Sequence, residues 1–169
     1  MTSGPPITIE RMGLEDLGDV LVIDRASFPT PWSHRQFHDA LIRNPAARCR
    51  TARCLVARMA GRIAGFLLFE TVGATAVHVV HLATHPDLRR RGVARALLGV
   101  VIEEARQRGV GRVYLRVRAA NSAARALYEY LGFQAIKQHT YPDGGAGLEM
   151  SLELARAVVP TPSTGGEAA

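Results

Sequence analysis

The sequence feature that most constrains the fold is a strand, turn and helix unit near the middle of the chain. Ala76–Thr84 is rich in β-branched residues and ends at His85-Pro86, which predicts a strand followed by a turn. The next segment, Gly92–Arg108, is predicted to be a helix that stops at Gly109. Because its apolar residues form one stripe, this helix is expected to bury one face in the core. The stripe consists of Val93, Leu97, Leu98, Val101, Ile102 and Ala105.

Apolar periodicity and turn residues predict the order β-α-α-β-β-β-α-β-α-β-β. The other predicted strands are Ile7–Glu10, Cys54–Arg58, Ile63–Thr71, Arg112–Arg118, Phe133–Lys137 and Leu148–Leu154. The other predicted helices are Leu14–Ser27, a helix capped by Ser33 that runs to about Arg43, and Ser122–Leu131. A hairpin combined with crossover helices favours a mixed α/β sheet over a purely parallel one.

Length and composition predict one domain with a sizeable core. The chain has 169 residues, of which 47% are hydrophobic, and residues 7–156 form the predicted domain. Residues 1–6 and 157–169 are rich in Pro, Gly, Ser and Thr and are predicted to be a flexible N-terminus and a disordered C-terminal tail. Neither a secretory signal nor an apolar run long enough for a membrane span is visible, so we expect a cytoplasmic protein without membrane contact.

The charged and metal-ligating residues narrow the class of function. The net charge of +6 favours anionic partners, although the arginines lack the interleaved aromatic residues of a nucleic-acid-binding platform. Cys49 and Cys54 have no second ligand pair, which is a poor zinc signal. His78 and His81 differ by an odd number and point to opposite faces of a strand unless a bulge intervenes. We therefore expect no metal site and no specific nucleic-acid partner.

Three consecutive arginines and a glycine immediately precede the central helix. Backbone N–H groups at a helix start are unpaired, and the helix dipole adds positive potential there. Gly92 allows close approach of the backbone to a ligand, and the side chains of Arg89, Arg90 and Arg91 add charge. This arrangement predicts a site for linked phosphates. It is neither a Walker A loop nor a dinucleotide fingerprint, because the residues that those motifs require are missing.

Two motifs resemble those of the GNAT acetyltransferases. Arg89-x-x-Gly92-x-Ala94 matches their R/Q-x-x-G-x-G/A signature, and Asn121–Phe133 resembles their N-x-x-A-x-x-x-Y-x-x-x-G-F segment. The resemblance implies a mixed, mostly antiparallel sheet of about seven strands, splayed at the cofactor site, with helices on both faces. It also implies that acetyl-CoA is the acetyl donor.

The same resemblance assigns roles to individual residues. Leu82, Ala83 and Thr84 would pair with the pantetheine arm, and the Leu82 N–H would polarise the thioester carbonyl. Tyr128 would lie near the sulfur and protonate the departing thiolate. Asn121 would contact the cofactor, and its pyrophosphate would be held by Arg89, Arg90, Arg91, Gly92, Val93 and Ala94.

Two further segments are similar to those of the RimI-type ribosomal-protein-alanine N-acetyltransferases. They are Ala26–Ser33, which contains Phe28, Pro31 and Trp32, and Thr140–Gly144, which contains Tyr141. These enzymes acetylate the α-amine of a protein N-terminus, so the resemblance implies that these four residues bind substrate. Alternatively, the prolines and Trp32 form a rigid connection packed on the core, and both readings can hold together.

The chain departs from the RimI-type pattern at the general base. Arg116 stands where those enzymes have a glutamate, and a guanidinium cannot accept a proton. Arg116 is therefore a candidate substrate-binding residue that either repels a cationic amine or binds an acidic group. His78 is the candidate base, because it precedes Leu82 by four residues and imidazole titrates near neutrality. The alternatives are that an ordered water takes the proton and that His78 is a packed or surface residue of the strand.

The departure also bears on the acceptor. Deprotonation at pH 7 costs about 1 kcal/mol for an α-amine and about 4.6 kcal/mol for lysine, so a weak base favours an α-amine. We expect acetyl transfer by direct attack in a ternary complex onto the N-terminal α-amine of a protein, with a ribosomal protein as the first candidate. The alternatives are a small-molecule amine as acceptor and a catalytically silent domain that binds acyl-CoA.

Overall fold

The computed structural model describes residues 4–42 and 52–155, and within these ranges seven strands form one sheet. The strands are β1 (Ile7–Arg11), β2 (Arg53–Met59), β3 (Arg62–Val72), β4 (Ala76–Thr84), β5 (Arg112–Arg118), β6 (Gln134–Thr140) and β7 (Ala146–Glu153). Their order across the sheet is β1-β2-β3-β4-β5-β7-β6, and β4–β5 is the parallel pair among otherwise antiparallel neighbours. The predicted mixed, mostly antiparallel sheet is confirmed.

Helices cover both faces of the sheet, as predicted. They are α1 (Leu17–Ser27), α2 (His34–Leu41), α3 (Val93–Gln107) and α4 (Ser122–Tyr130), with short 3-10 turns at Leu14–Asp16 and Pro86–Leu88. Helix α3 connects the parallel strands β4 and β5, a crossover that such a pair requires. Among the described residues, no helix combines the length and hydropathy needed to cross a membrane.

Two apolar cores lie on opposite faces of the sheet. On one face, α3 and α4 pack against the strands, and all six residues of the predicted stripe on α3 are buried. On the other face, α1 and α2 pack against β2 and β3 around Phe37 and Phe66. The apolar periodicity of α3 predicts its buried residues correctly because the whole helix packs against one surface.

The sequence-based boundaries are wrong at several element ends. Leu14–Ser27 is not one helix, because its first turn is 3-10 and the Asp16 carboxylate accepts from the Gly13 N–H. Leu14 and Val22, two of the apolar residues at helical spacing in this segment, are exposed. The last two strands begin and end at other residues because their pairing extends to Thr140 opposite Ala146. The predicted end of the second helix at Arg43, Cys49 and the tail 157–169 lie outside the described residues.

The parallel strands β4 and β5 pair only over their first halves. Ala76–Val79 lies in register with Arg112–Leu115, and beyond these residues the two strands have no ladder partner in each other. The sheet is therefore splayed at its centre, as the resemblance implied. A splayed pair exposes the backbone N–H and C=O groups that a continuous sheet would satisfy internally.

Gly65 on β3 allows a close approach between the sheet and the start of α3. A Cβ atom at this position would lie 2.7 Å from the Ala83 carbonyl oxygen and 2.8 Å from Val93 Cγ1. Both distances are shorter than van der Waals contact, and one neighbour is backbone of β4. Packing therefore requires glycine at position 65, because β4 and the start of α3 leave no room for a Cβ atom there.

We predict that Gly65→Ala destabilises the fold by about 1–3 kcal/mol, the usual cost of overpacking a core. The matched control is Gly99→Ala, because Gly99 is exposed within α3 and a Cβ there meets nothing within 4 Å. The control is expected to stabilise the protein by about 0.8–1 kcal/mol through helix propensity. Urea denaturation measures both changes, and equal effects of the two substitutions would contradict the packing argument.

Candidate active site

A cavity of about 480 Å³ opens where β4 and β5 part. Residues of β4 and β5 form two of its walls, and α4, the connection after α1 and the hairpin between β6 and β7 form the others. Of the predicted site residues, the cavity is lined by His78, Leu82, Asn121, Tyr128, Phe28, Arg116 and Tyr141. Tertiary structure thus brings together residues that the sequence spreads over more than a hundred positions.

The register of β3 and β4 determines which backbone N–H groups face this cavity. The His85 N–H donates to the Ala64 carbonyl, and the register between the strands is constant from Thr84 to His81. Since N–H groups alternate in direction along a strand, Ala83 donates toward β3, whereas Leu82 and Thr84 point away from it. These two outward N–H groups are suited to an amide-bearing ligand lying along β4.

A β-bulge at Val80 changes the orientation expected for the two histidines of β4. His78 is paired with Glu70 and His81 with Leu68, so the single residue between Glu70 and Leu68 is matched by two on β4. His78 and His81 therefore lie on the same face of the sheet, and the expectation of opposite faces is wrong. A bulge of this kind re-aims side chains beside a site. Within the described residues, no group of three or more metal-ligating side chains comes together.

His78 has the environment of a neutral imidazole. Its Nδ1 lies 3.3 Å from Glu70 Oε1, and its ring stacks on Tyr114 with the centroids 4.6 Å apart. Burial lowers the pKa of His78 from its ordinary value, and the hydrogen bond to Glu70 opposes this only in part. The tautomer that donates from Nδ1 to Glu70 leaves Nε2 as the proton acceptor.

Tyr128 enters the cavity from α4 with its side chain almost fully buried. Its exposed fraction is 8%, and burial raises the pKa of its phenol to about 12. The hydroxyl is therefore protonated throughout the physiological pH range and available as a donor. Asn121 caps the same helix, because its Oδ1 accepts from the Ala124 N–H, and its amide also lines the cavity.

The predicted phosphate site lies at the start of α3, outside the lining of the cavity. Gly92 is the N-cap of α3 with φ of 84°, and Arg90 also has a positive φ of 60°. Nothing lies within 4 Å of the position of a Cβ on Gly92, so the backbone is open to a ligand. Arg89, Arg90 and Arg91 are exposed, and Arg89 Nη2 lies 3.5 Å from Ser27 Oγ. An open helix N-terminus with three adjacent guanidinium groups fits a pyrophosphate.

The connection between α1 and α2 is anchored by Asp24, which the sequence analysis did not single out. Asp24 is fully buried, accepts from the Trp32 N–H at 2.7 Å and is hydrogen-bonded to His81. The His81 ring stacks on Phe28 and Trp32 with centroid distances of 4.2 and 5.1 Å. Neither Trp32 nor Pro31 lines the cavity, so their position supports the rigid-connection reading, whereas Phe28 reaches the cavity. The sequence signal that could have identified Asp24 is its place among apolar residues of a helix, since a buried carboxylate needs hydrogen-bond partners.

The hairpin between β6 and β7 is held against β5 by an ion pair. Both Nη atoms of Arg118 bond to Asp143, at 2.7 and 3.3 Å, and this guanidinium lowers the pKa of the Asp143 carboxyl. Arg118 also lies over the ring of Tyr141, 4.4 Å from its centroid. Sequence reasoning missed Arg118 and Asp143, because their pairing depends on how the hairpin folds back on β5.

Comparison with known proteins agrees with this geometry. The family described as "Acetyltransferase (GNAT) family" matches residues 17–133. The chain therefore belongs to the GNAT acetyltransferases and is an acetyl-CoA-dependent N-acetyltransferase. It is 34% identical over 139 residues to the [ribosomal protein bS18]-alanine N-acetyltransferase of Escherichia coli K12, covering 80% of this chain and 87% of that protein. A putative enzyme of the same name from Bacillus subtilis is 30% identical, with 81% and 88% covered.

Solved structures show the same fold. The crystal structure of the ribosomal-protein-S18-alanine N-acetyltransferase from Escherichia coli superposes with a TM-score of 0.77 at 28% identity, covering 92% of this chain and 99% of that one. Arabidopsis thaliana NAA60 in complex with a bisubstrate analogue gives a TM-score of 0.75 at 19% identity, covering 90% and 100%. The second likeness bears on the fold alone.

Proposed function

We propose that this N-acetyltransferase acetylates the α-amine of a protein N-terminus, with a ribosomal protein as the leading acceptor. The observation that carries the proposal is that the imidazole of His78, whose pKa is lowered by burial, lines the same cavity as Leu82. Such a base suffices for an α-amine, whose deprotonation at pH 7 costs about 1 kcal/mol, against about 4.6 kcal/mol for lysine. The similar enzymes are named for N-acetylation of an alanine of ribosomal protein bS18, which supports a protein acceptor.

We propose contacts for the acetyl donor from the geometry of β4 and the start of α3. Leu82 and Thr84 would pair through their outward N–H groups with the pantetheine amides, whereas Ala83 contributes backbone that faces β3. Asn121 would add a side-chain contact. The pyrophosphate would bind at the start of α3, between the helix N-terminus from Gly92 to Ala94 and the guanidinium groups of Arg89, Arg90 and Arg91. Acetyl-CoA supplies an activated thioester when bound.

Three groups would act during the transfer. His78 Nε2 takes the proton of the attacking amine, and the Leu82 N–H donates to the carbonyl oxygen as negative charge develops there. Tyr128 gives its proton to the departing thiolate, which its burial and protonated state permit. The amine reaches these groups between Phe28 and Tyr141, which line the cavity from opposite loops. Neither Cys54 nor Cys49 is needed, since the amine attacks directly.

An acceptor panel tests the proposal. One peptide has a free α-amine and no lysine, and its matched partner has the same sequence with a blocked α-amine and one internal lysine. We expect the thiol of coenzyme A to be released with the first peptide and not with the second, because the lysine amine is harder to deprotonate. Release with the blocked peptide alone, or only with small amines, would overturn the proposal.

His78→Gln is expected to lower kcat by about 10²–10⁴-fold, the usual contribution of a general base. With saturating acceptor, the native enzyme should keep its rate from pH 8 down to below pH 6.5, because the pKa of His78 is lowered and the imidazole stays neutral. Its rate should then fall as His78 is protonated, and the variant should lack this acidic limb. His38→Gln on α2, outside the cavity, is the control, and an unchanged profile in His78→Gln would exclude the base role.

Tyr128→Phe is expected to lower kcat by about 10²–10⁴-fold while the Kd for coenzyme A changes little, because the ring remains and only the proton donor is lost. Tyr130→Phe is the matched control on the same helix, since Tyr130 is 68% exposed. Steady-state kinetics and calorimetry measure the two quantities. A parallel loss of turnover and of coenzyme A affinity would show that Tyr128 serves binding instead.

A further inference from the structure

The acceptor end of the cavity is defined here as the part lined by Arg116, Arg118, His139, Tyr141 and Asp143. Asp143 is the one carboxylate among the lining residues in the described part of the chain. It is already bonded twice by Arg118. An acceptor that carries a positive side chain would therefore find no carboxylate available to pair with it.

Arg116 lies in this region, and its guanidinium group is accessible to a ligand. Its side chain is 47% exposed, and its Nε donates to Glu149 Oε2 at 3.2 Å. Its Nη groups make no hydrogen bond to another residue in the ranges described. Glu149 is directly opposite on β7 and only 14% exposed, and it does not line the cavity. The bond from Nε to Glu149 thus orients Arg116 and leaves both Nη groups, with their four N–H donors, for a ligand.

Arg116 is also near the proposed base, His78, on the neighbouring strand. His78 is in register with Tyr114, and Arg116 follows two residues later on the same face of β5. Its positive charge is one of the influences that lower the pKa of His78. A group bound to Arg116 would therefore lie on the same face of the sheet as His78, the proposed acceptor of the amine proton.

We infer that the acceptor carries an acidic side chain at its first or second residue, which the Nη groups of Arg116 bind. This inference rests on the proposed function, because it requires a peptide N-terminus in the cavity. A carboxylate held by two guanidinium donors is a charge-assisted, planar interaction that an amide cannot replace. The pairing also offsets the positive charge that an incoming ammonium would otherwise meet.

The test compares acceptor peptides that differ only at the first or only at the second residue, with Asp, Asn or Lys at that place. Thiol release gives kcat/KM for each. At one of the two places we expect Asp to exceed Asn by about tenfold or more, as a charge-assisted hydrogen bond provides, and Lys to be poorest.

Variants separate Arg116 from the general charge of the protein. In Arg116→Gln the Asp-to-Asn ratio should fall to about one, and in Arg116→Glu the order of Asp and Lys should reverse. Arg116→Lys should keep part of the preference, because a point charge remains without the planar pair of donors. Arg112→Gln should leave the ratio as in the native enzyme, since Arg112 lies on the same strand over the ring of Tyr114 and does not line the cavity.

Each result has a distinct consequence. Equal use of Asp and Asn peptides at both places would overturn this inference and leave the N-terminal acceptor standing. A preference for Asp that survives Arg116→Gln, in a protein with native thermal unfolding, would also overturn it. Release with none of the peptides would overturn the proposed function, and this inference with it.

Discussion

The site depends on the parting of two parallel strands. β4 and β5 share a ladder only from Ala76 to Val79, and each then carries unpaired backbone groups along one edge. Buried backbone groups must be satisfied, so this gap is stable only beside water or a ligand with amides of its own. The gap also opens the 480 Å³ cavity through which side chains from both faces of the sheet meet. Tyr128 belongs to one core and Phe28 packs against the other.

Two local irregularities determine how β4 serves this gap. The bulge at Val80 places His78 and His81 on one face, so that one faces the reacting groups and the other anchors the loop after α1. Gly65 lets the start of α3 pack directly on the sheet, and this places the helix N-terminus near the end of β4. A larger residue in place of Gly65 would prevent the close packing of α3, and a regular ladder without the bulge would place the two histidines on opposite faces. Neither change would alter the fold class.

Basic groups that line the cavity are paired with carboxylates. Glu149 and Arg116 lie opposite each other on neighbouring strands, but only the arginine reaches the cavity. Asp143 does reach it, yet its oxygens bond to Arg118. On the other wall, Glu70 lies behind His78 in the same way. Apart from Asp143, which is paired with Arg118, the side chains that line the site are basic or neutral, which suits a neutral attacking amine.

The sequence by itself determined the order of elements and the buried stripe of α3, and it predicted a phosphate site at Gly92, because each depends on residues close together along the chain. It also identified His78, Tyr128 and Asn121 as site residues that do line one cavity. Only the tertiary structure decided what depends on pairing between distant segments. The bulge at Val80 follows from register against β3, and the Asp24–His81 bond joins residues 57 positions apart. No periodicity within one segment encodes such contacts, since they arise from packing two segments together.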